Sequence, residues 1–227
     1  MKKQYTGKTK DVYRTTDGHL LLKFKDDVTG VDGQFDPGAN QIALSIAGVG
    51  KKDVKMSTYF FNQLRKQGIP THFVTSDLEE ATMTVVPAKI FGKGLEVITR
   101  YRAVGSFIRR YGAYIDEGSP LDEFVEITLK DDERMDPPIT EEALVMLGIM
   151  TPETYQAVVT LNRQIARLIR QELAEHGLEL YDLKLEFGRR QDNDEILLID
   201  EISGGNMRVF KDGKYIEPLH LADYFEI

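Results

Sequence analysis

Short alternating runs open the chain. "DVYRT" from Asp11 and "HLLLKFKDD" over residues 19–27 read as two strands, and the "TDG" between them suits a hairpin turn. Over residues 52–67 the apolar period lengthens. Met56, Phe60 and Leu64 recur at i, i+4 and i+8, the stripe of an amphipathic helix, and Gly68 supplies its stop. β-Branched residues cluster again in "THFVTS", "MTVVPAKIF" and "LEVITRYRAV", which predicts sheet through about residue 104.

The next stretch is less regular. "SFIRRYG" predicts a short helix entered at Ser106, "DEFVEITLK" a strand, and "DDERMDPPIT" a loop interrupted by consecutive prolines. "TEEALVMLG" starts a helix with Thr140 as its capping residue. The strongest helix is "TPETYQAVVTLNRQIARLIRQELAEHG", with Thr151 as N-cap, Pro152 at the first helical position and Gly177 at the stop. Its core stripe is Val158, Leu161, Ile165, Ile169 and Leu173. "LELYDLKLEFG" and "EILLIDEI" then form a hairpin across "RRQDND". The whole predicts an α+β fold that begins with an antiparallel sheet. No repeat or composition break marks a linker; the expected organisation is an N-terminal sheet lobe (residues 1–90) and a larger C-terminal α+β lobe (residues 91–227).

With 227 residues, 41% of them hydrophobic, the chain can bury a sizeable core. A net charge of −8 argues against nucleic-acid binding through a global positive field and makes any phosphate site a local one. The absence of cysteine excludes disulfides and thiolate metal sites, and His19, His72, His176 and His220 lack ligand spacing, so oxygen must bind any metal. "MKKQYTGKTK" has no apolar signal region and no run is long enough to span a bilayer. Neither a membrane nor a nucleic acid is expected as a partner, and cytoplasmic residence is the expectation.

Four stretches carry candidate chemistry. In "YTGKTKDVY", Gly7 permits close backbone approach, and Lys8 and Lys10 would share a side if extended, which suits a polyphosphate; a solvated basic terminus has the same pattern. "FKDDVTGVDG" groups Asp26, Asp27 and Asp32 with glycines, as either a turn or a ligand site would, and a long glycine-studded loop follows that could act as a lid. In "LEVITRYRAVGSFIRR", Arg100 and Arg102 are placed on one strand face just before Gly105 and Ser106, a combination suited to an anion. In "YDLKLEFG", Asp182, Lys184 and Glu186 face one way, and a hairpin could bring Asp200 towards Glu186, two carboxylates of the kind Mg²⁺ takes.

Taken in order, these stretches resemble the SAICAR synthetase family, together with "GIPTHF", "LKDDERMDPPI" and "LIDEIS". The resemblance covers nearly the whole chain to about residue 210, and "YDLKLEFG" and the R-x-x-A-x-G-S run are its most specific signatures. It implies a two-lobed α+β fold, with an N-terminal antiparallel sheet lobe and an ATP-grasp or kinase-like C-terminal lobe. It also implies an ATP-dependent ligase of purine biosynthesis: the carboxylate of carboxyaminoimidazole ribonucleotide is phosphorylated, and L-aspartate displaces the phosphate to form an amide. The implied nucleotide residues are Gly7, Lys8 and Lys10, with Lys89 to Glu96 as an adenine-contacting hinge, and Glu186 and Asp200 would hold Mg²⁺. Arg100, Ser106 and Arg208 would hold the ribonucleotide 5′-phosphate, Asp182 and Lys184 would orient its sugar and imidazole, and Asp32, Lys130 and Asp136 would surround the reacting carboxylate or the aspartate.

The departures from that family's pattern cluster on the ribonucleotide and amino-acid side. Gly204, Gly205, Asn206 and Met207 follow Ser203 where Ser-Pro-Asp is usual, so an expected acid is missing; Tyr101 stands for a frequent asparagine and Met135 for a usual histidine. "GVGKKD", after a longer insertion, replaces a usual Gly-Lys-Gly. A paralogue acting on another carboxylate or amine, and a nucleotide-binding module without catalysis, are the alternative readings. A homodimer could form through an exposed sheet edge or the long helix.

Overall fold

The structure is a computed structural model and describes residues 1–31, 34–35 and 42–226. Three antiparallel strands come first, β1 (Lys2–Thr6), β2 (Lys10–Arg14) and β3 (Leu20–Phe24), and Gly18 supplies the positive φ of the β2–β3 turn. A ribbon of β4 (Asp27–Val31), β5 (Gln34–Phe35) and β6 (Ile42–Ser45) leads into α1 (Val49–Lys66). β7 (Phe73–Asp77) and β8 (Thr82–Val85) return to the first sheet, whose order is β1-β2-β3-β8-β7.

β9 (Ala88–Ile90) crosses to a second sheet, which continues with β10 (Leu95–Arg102), α2 (Ser106–Tyr111) and β11 (Pro120–Leu129). After a 3₁₀ turn at Asp132–Arg134 come α3 (Glu141–Met146) and α4 (Pro152–Glu175). The hairpin of β12 (Glu179–Arg190) and β13 (Ile196–Ile199) follows, then β14 (Met207–Lys211), β15 (Lys214–Tyr215) and α5 (Pro218–Leu221). β12 is long enough to serve two sets of neighbours: its first half pairs with β10 and β14, its second with β13 and β9. The mixture of antiparallel sheets and helices is the expected α+β class.

Apolar stripes hold the layers together. Met56, Phe60 and Leu64 of α1 are fully buried, as are Val158, Ile165, Ile169 and Leu173 of α4, while Leu161 is half-buried at the margin. Each such side chain contributes about 1.5–3 kcal/mol relative to exposure. α4 starts as its sequence predicts, the Thr151 hydroxyl accepting from the Thr154 amide at 3.2 Å with Pro152 in the first turn. α4 packs on the side of β12 that carries Leu183 and Leu185, which leaves Asp182, Lys184 and Glu186 on the opposite side, towards the space between the sheets. No described residue of the C-terminal tail lines that space; Phe225 packs on Tyr59, Phe60 and His176 behind it.

Candidate functional site

A cleft of about 710 Å³ opens between the two sheets. Its apolar end is built by alternate inward residues, Val12, Leu20, Leu22 and Val85 from the first sheet, with Ala88 and Ile90 of β9 at the crossover. Such a slot suits a flat ring, and the backbone of the crossover supplies donors and acceptors beside it. The charged end begins at the β1–β2 turn, where the Gly7 amide donates to the Lys10 carbonyl at 2.7 Å. Lys8 reaches from that turn to Asp132 on the opposite lip at 2.6 Å.

The floor of the charged end is the β12–β13 hairpin. Glu186 pairs in register with Ile199, and Asp200, the next residue, is close enough for its charge to act on the Glu186 carboxylate. Asp200 has a φ of +67°, and the ring of His72 hydrogen-bonds its carbonyl at 2.8 Å. Lys10 binds Asp200 at 2.6 Å and also Glu201, while Lys130 binds Glu186 at 2.5 Å. Burial and the charge of Asp200 push Glu186 up to about 7 against the pull of Lys130. Burial opposes ionisation of Asp200, but Lys10 and Lys130 override it and hold this acid well below the usual range. Burial, helped by the charge of Lys10 and opposed by Asp200, lowers His72 to about 4, so its imidazole is neutral and its ring N–H donates to the Asp200 carbonyl.

These two carboxylates fit a magnesium ion. They are oxygen donors, they repel one another, and a divalent cation relieves that repulsion while leaving positions for phosphate oxygens and water. Among the described residues no third carboxylate or histidine joins them as a ligand.

A second, smaller cavity of about 50 Å³ adjoins the cleft. Four cations face it, Arg100, Arg109, Lys184 and Arg208, against the carboxylates Glu96, Asp136 and Asp182. Asp182 accepts from Arg100 at 2.9 Å and from Arg208 at 2.6 Å, and so holds two guanidinium groups together. Glu126, from β11, grips the back of Arg100 at 2.8 and 2.9 Å. Arg100, only 1% exposed, also donates to the Ser106 hydroxyl at 2.7 Å. Gly105, at a φ of +57°, carries no side chain because a Cβ there would stand 2.7 Å from the Arg208 guanidinium. Paired guanidiniums and a hydroxyl form a fork-shaped receptor for a tetrahedral anion. Glu96, Lys184 and Asn206 line both spaces, so the cavity and the cleft meet at one wall, where Lys184 binds Glu96 at 2.8 Å.

Gly7, Lys8, Lys10, Glu96, Lys130, Lys184, Glu186 and Asp200 therefore line the cleft, and Arg100, Ser106, Asp136, Asp182 and Arg208 line the cavity. Asp136 also accepts from the Asp131 amide at 2.7 Å, which ties the proline-containing loop together. Asp32 lies outside the described residues. Lys89 pairs with Arg189 through its backbone and its side chain is exposed, so it is Ala88 and Ile90 that face the cleft.

Three local expectations change. Arg102 does not share the face of Arg100, because a bulge between them turns it towards Glu179 at 2.8 Å. Lys8 and Lys10 both reach the cleft but bind opposite lips instead of lying side by side. Asp26 is a helix cap, accepting from Gly48 and Gly50 at 3.0 and 3.1 Å, whereas Asp27 lines the cleft.

Sequence reasoning missed Glu126, Glu201, His72, Asn206 and Asp53. Asp53 leaves a signal, an acid at a position that the apolar period of α1 reserves for the core, whereas Glu126 falls between Val125 and Ile127, on the face opposite the apolar alternation of β11. His72 and Asn206 leave none, since their positions depend on partners about 130 residues distant or on a local turn.

Fold and site together define an enzyme of mixed α/β architecture in which an apolar-to-charged cleft and an arginine-lined cavity share one wall. The model of the SAICAR synthetase family matches residues 3–220. The chain belongs to that family. It is 59% identical over 217 residues to the phosphoribosylaminoimidazole-succinocarboxamide synthase of Clostridium tetani, covering 96% of both chains. Its fold superposes with a TM-score of 0.85 on the corresponding synthase of Ehrlichia chaffeensis, at 26% identity and covering 96% of this chain and 90% of that one. A SAICAR synthetase solved in complex with ADP gives a TM-score of 0.83 at 29% identity, covering 98% and 91%.

Proposed function

We propose that the chain is an ATP-dependent carbon–nitrogen ligase that joins L-aspartate to the carboxylate of carboxyaminoimidazole ribonucleotide in purine biosynthesis, releasing ADP and phosphate. The observation that carries the reading is the wall common to cleft and cavity, Glu96, Lys184 and Asn206, which lets a polyphosphate in one space meet a carboxylate held in the other. Membership of the family and 59% identity to a synthase of this name support it, as does the ADP complex of a relative.

In this reading the adenine occupies the apolar end beside Ala88 and Ile90, and Gly7, Lys8 and Lys10 hold the phosphates. Glu186 and Asp200 would hold magnesium, which supplies charge neutralisation to the transferring phosphoryl group when bound. Arg100, Ser106 and Arg208 take the 5′-phosphate of the ribonucleotide, and Asp182 and Lys184 orient the rest of it. The carboxylate oxygen forms a bond to the γ-phosphorus as ADP leaves. The aspartate ammonium first gives one proton to water; the free amine nitrogen then attacks the acyl carbon, phosphate departs with the C–O bonding pair, and the nitrogen's second proton passes to the departing phosphate. Lys130 and Asp136 border the wall where this occurs. Activation is needed because a carboxylate oxygen is a poor leaving group, and the protein's share is positioning and electrostatics.

The test is an ADP-release assay in which each substrate is omitted in turn, with product identified by mass. Turnover that requires both the ribonucleotide and L-aspartate and yields the succinocarboxamide is expected. Turnover only with another amine or carboxylate would replace the reading with that of a paralogue, and nucleotide binding without turnover would replace it with a binding module.

A further inference from the structure

One acid in the cleft has no role in this scheme. Continuing the Met56–Phe60–Leu64 stripe of α1 towards its start lands on Asp53, so a position suited to an apolar side chain holds a carboxylate that is 8% exposed. Its Oδ1 makes no hydrogen bond, although the side chain lines the cleft. A buried acceptor left without a donor is destabilising, and helix α1 does not need it as a cap, because Asp26 fills that place.

The neighbours of Asp53 identify what it lacks. Glu201 and the Ser203 hydroxyl stand beside it, and Lys10 is committed to Asp200 and Glu201. Ser57, one turn further along α1, pins this wall by exchanging hydrogen bonds of 3.2 Å with the backbone of Ile202. Gly205 also borders the cleft and contributes no side chain; a Cβ there would lie 3.2 Å from Glu201 Oε1 and Ser203 Oγ. The loop that lacks the family's usual acid thus faces a helix that supplies one.

The Ser203 hydroxyl donates to Glu201 at 3.2 Å and Lys10 also binds Glu201, so the oxygen still without a donor is Asp53 Oδ1, set in an acidic surrounding that calls for a cationic donor. Among the described residues no three acids or histidines converge as metal ligands, which favours a primary ammonium with its three N–H groups over a second metal ion. We propose that Asp53, next to Glu201, receives the ammonium group of the amino-acid substrate and forms the amine end of the cleft. This rests on the ligase reading above and assigns a residue to its second half-reaction. Burial and the charge of Glu201 drive Asp53 upward as an acid, so the arrival of a cation is what stabilises its ionised form.

Asp53→Asn keeps the shape and removes the charge. Separate steady-state titrations of the three substrates should show the KM for L-aspartate raised about tenfold or more, the loss of one charge-assisted hydrogen bond, with the KM values for ATP and ribonucleotide changed less than about twofold. The melting temperature should hold or rise, since an unpaired buried acid is gone; Asp53→Ser repeats the test with a smaller side chain. An unchanged KM for L-aspartate overturns the inference alone. A selective rise in the KM for ATP, or in the magnesium requirement, overturns it by moving Asp53 to the polyphosphate. A parent chain inactive with these substrates overturns the ligase reading and this inference together.

Discussion

Asp182 is 4% exposed, yet it is the residue on which the anion cavity turns. Its Oδ2 accepts from two arginines, one from β10 and one from β14, because β12 lies between those strands and pairs Asp182 with both Arg100 and Arg208. Removing one arginine leaves the other in place. Arg208→Ala should therefore raise the KM for the ribonucleotide by about 10–100-fold, the loss of a charged hydrogen bond worth roughly 1.5–3 kcal/mol, and leave the KM for ATP nearly unchanged; equal losses for both would refute a phosphate-specific role. Asp200→Asn should do the reverse. Lys10 keeps Glu201 as a partner, so the fold should persist while magnesium-dependent turnover falls about 100-fold, several kcal/mol of lost metal catalysis. A rate within twofold of the parent would sink the metal assignment.

At the scale of elements, the turn after β13 explains the most prominent departure in the sequence. Ser203, Gly204, Gly205 and Asn206 close a 3₁₀ turn in which Asn206 Oδ1 accepts from the Ser203 amide at 2.9 Å and Asn206 Nδ2 donates to the Glu201 carbonyl at 2.7 Å. Gly204 is required by the tail: a Cβ there would stand 2.6 Å from the Cα of Pro218, the first residue of α5. Backbone cannot yield cheaply, so Gly204→Ala should cost about 1–3 kcal/mol by overpacking, measured as a lower urea midpoint at unchanged slope. An unshifted midpoint would mean that the tail moves freely and does not brace this turn. The β12–β13 hairpin, by contrast, was legible beforehand: two apolar runs around a polar turn pair Glu186 with Ile199, the residue before Asp200.

At the scale of the molecule, pH acts through the junction of the two sheets. His72 follows the segment that meets β13, its amide donating to the Leu198 carbonyl at 2.9 Å, and its ring is 4% exposed. Its native value of about 4 lies below the 6.5 of a free histidine. Unfolding therefore takes up a proton between those values: His72 contributes stability above pH 6.5 that is lost as pH falls towards 4, on the order of 3 kcal/mol in all. Melting temperature should fall over that window, and His72→Gln should flatten that part of the profile; an unchanged slope would place the acid sensitivity elsewhere. The mouth of the cleft is held far less firmly, since Lys8 and Asp132 form a largely exposed pair of the kind worth about 0–1 kcal/mol.

Local periodicity determined the elements. The stripes of α1 and α4, the cap at Thr151 and both hairpins follow from side-chain spacing and turn chemistry that act within a few residues, and the resemblance of quoted motifs was enough to name the family. The sequence alone also located most of the residues facing the cleft and cavity, because alternation on β12 leaves Asp182, Lys184 and Glu186 no other side. Only the tertiary structure decided how they are partnered. The bulge that turns Arg102 away, the sharing of Asp182, the neutral His72 under Asp200 and the unmet Oδ1 of Asp53 beside Glu201 all depend on which strands and helices come together. Charge, burial and hydrogen-bond supply at a site are sums over neighbours distant in the chain, and no local pattern contains them.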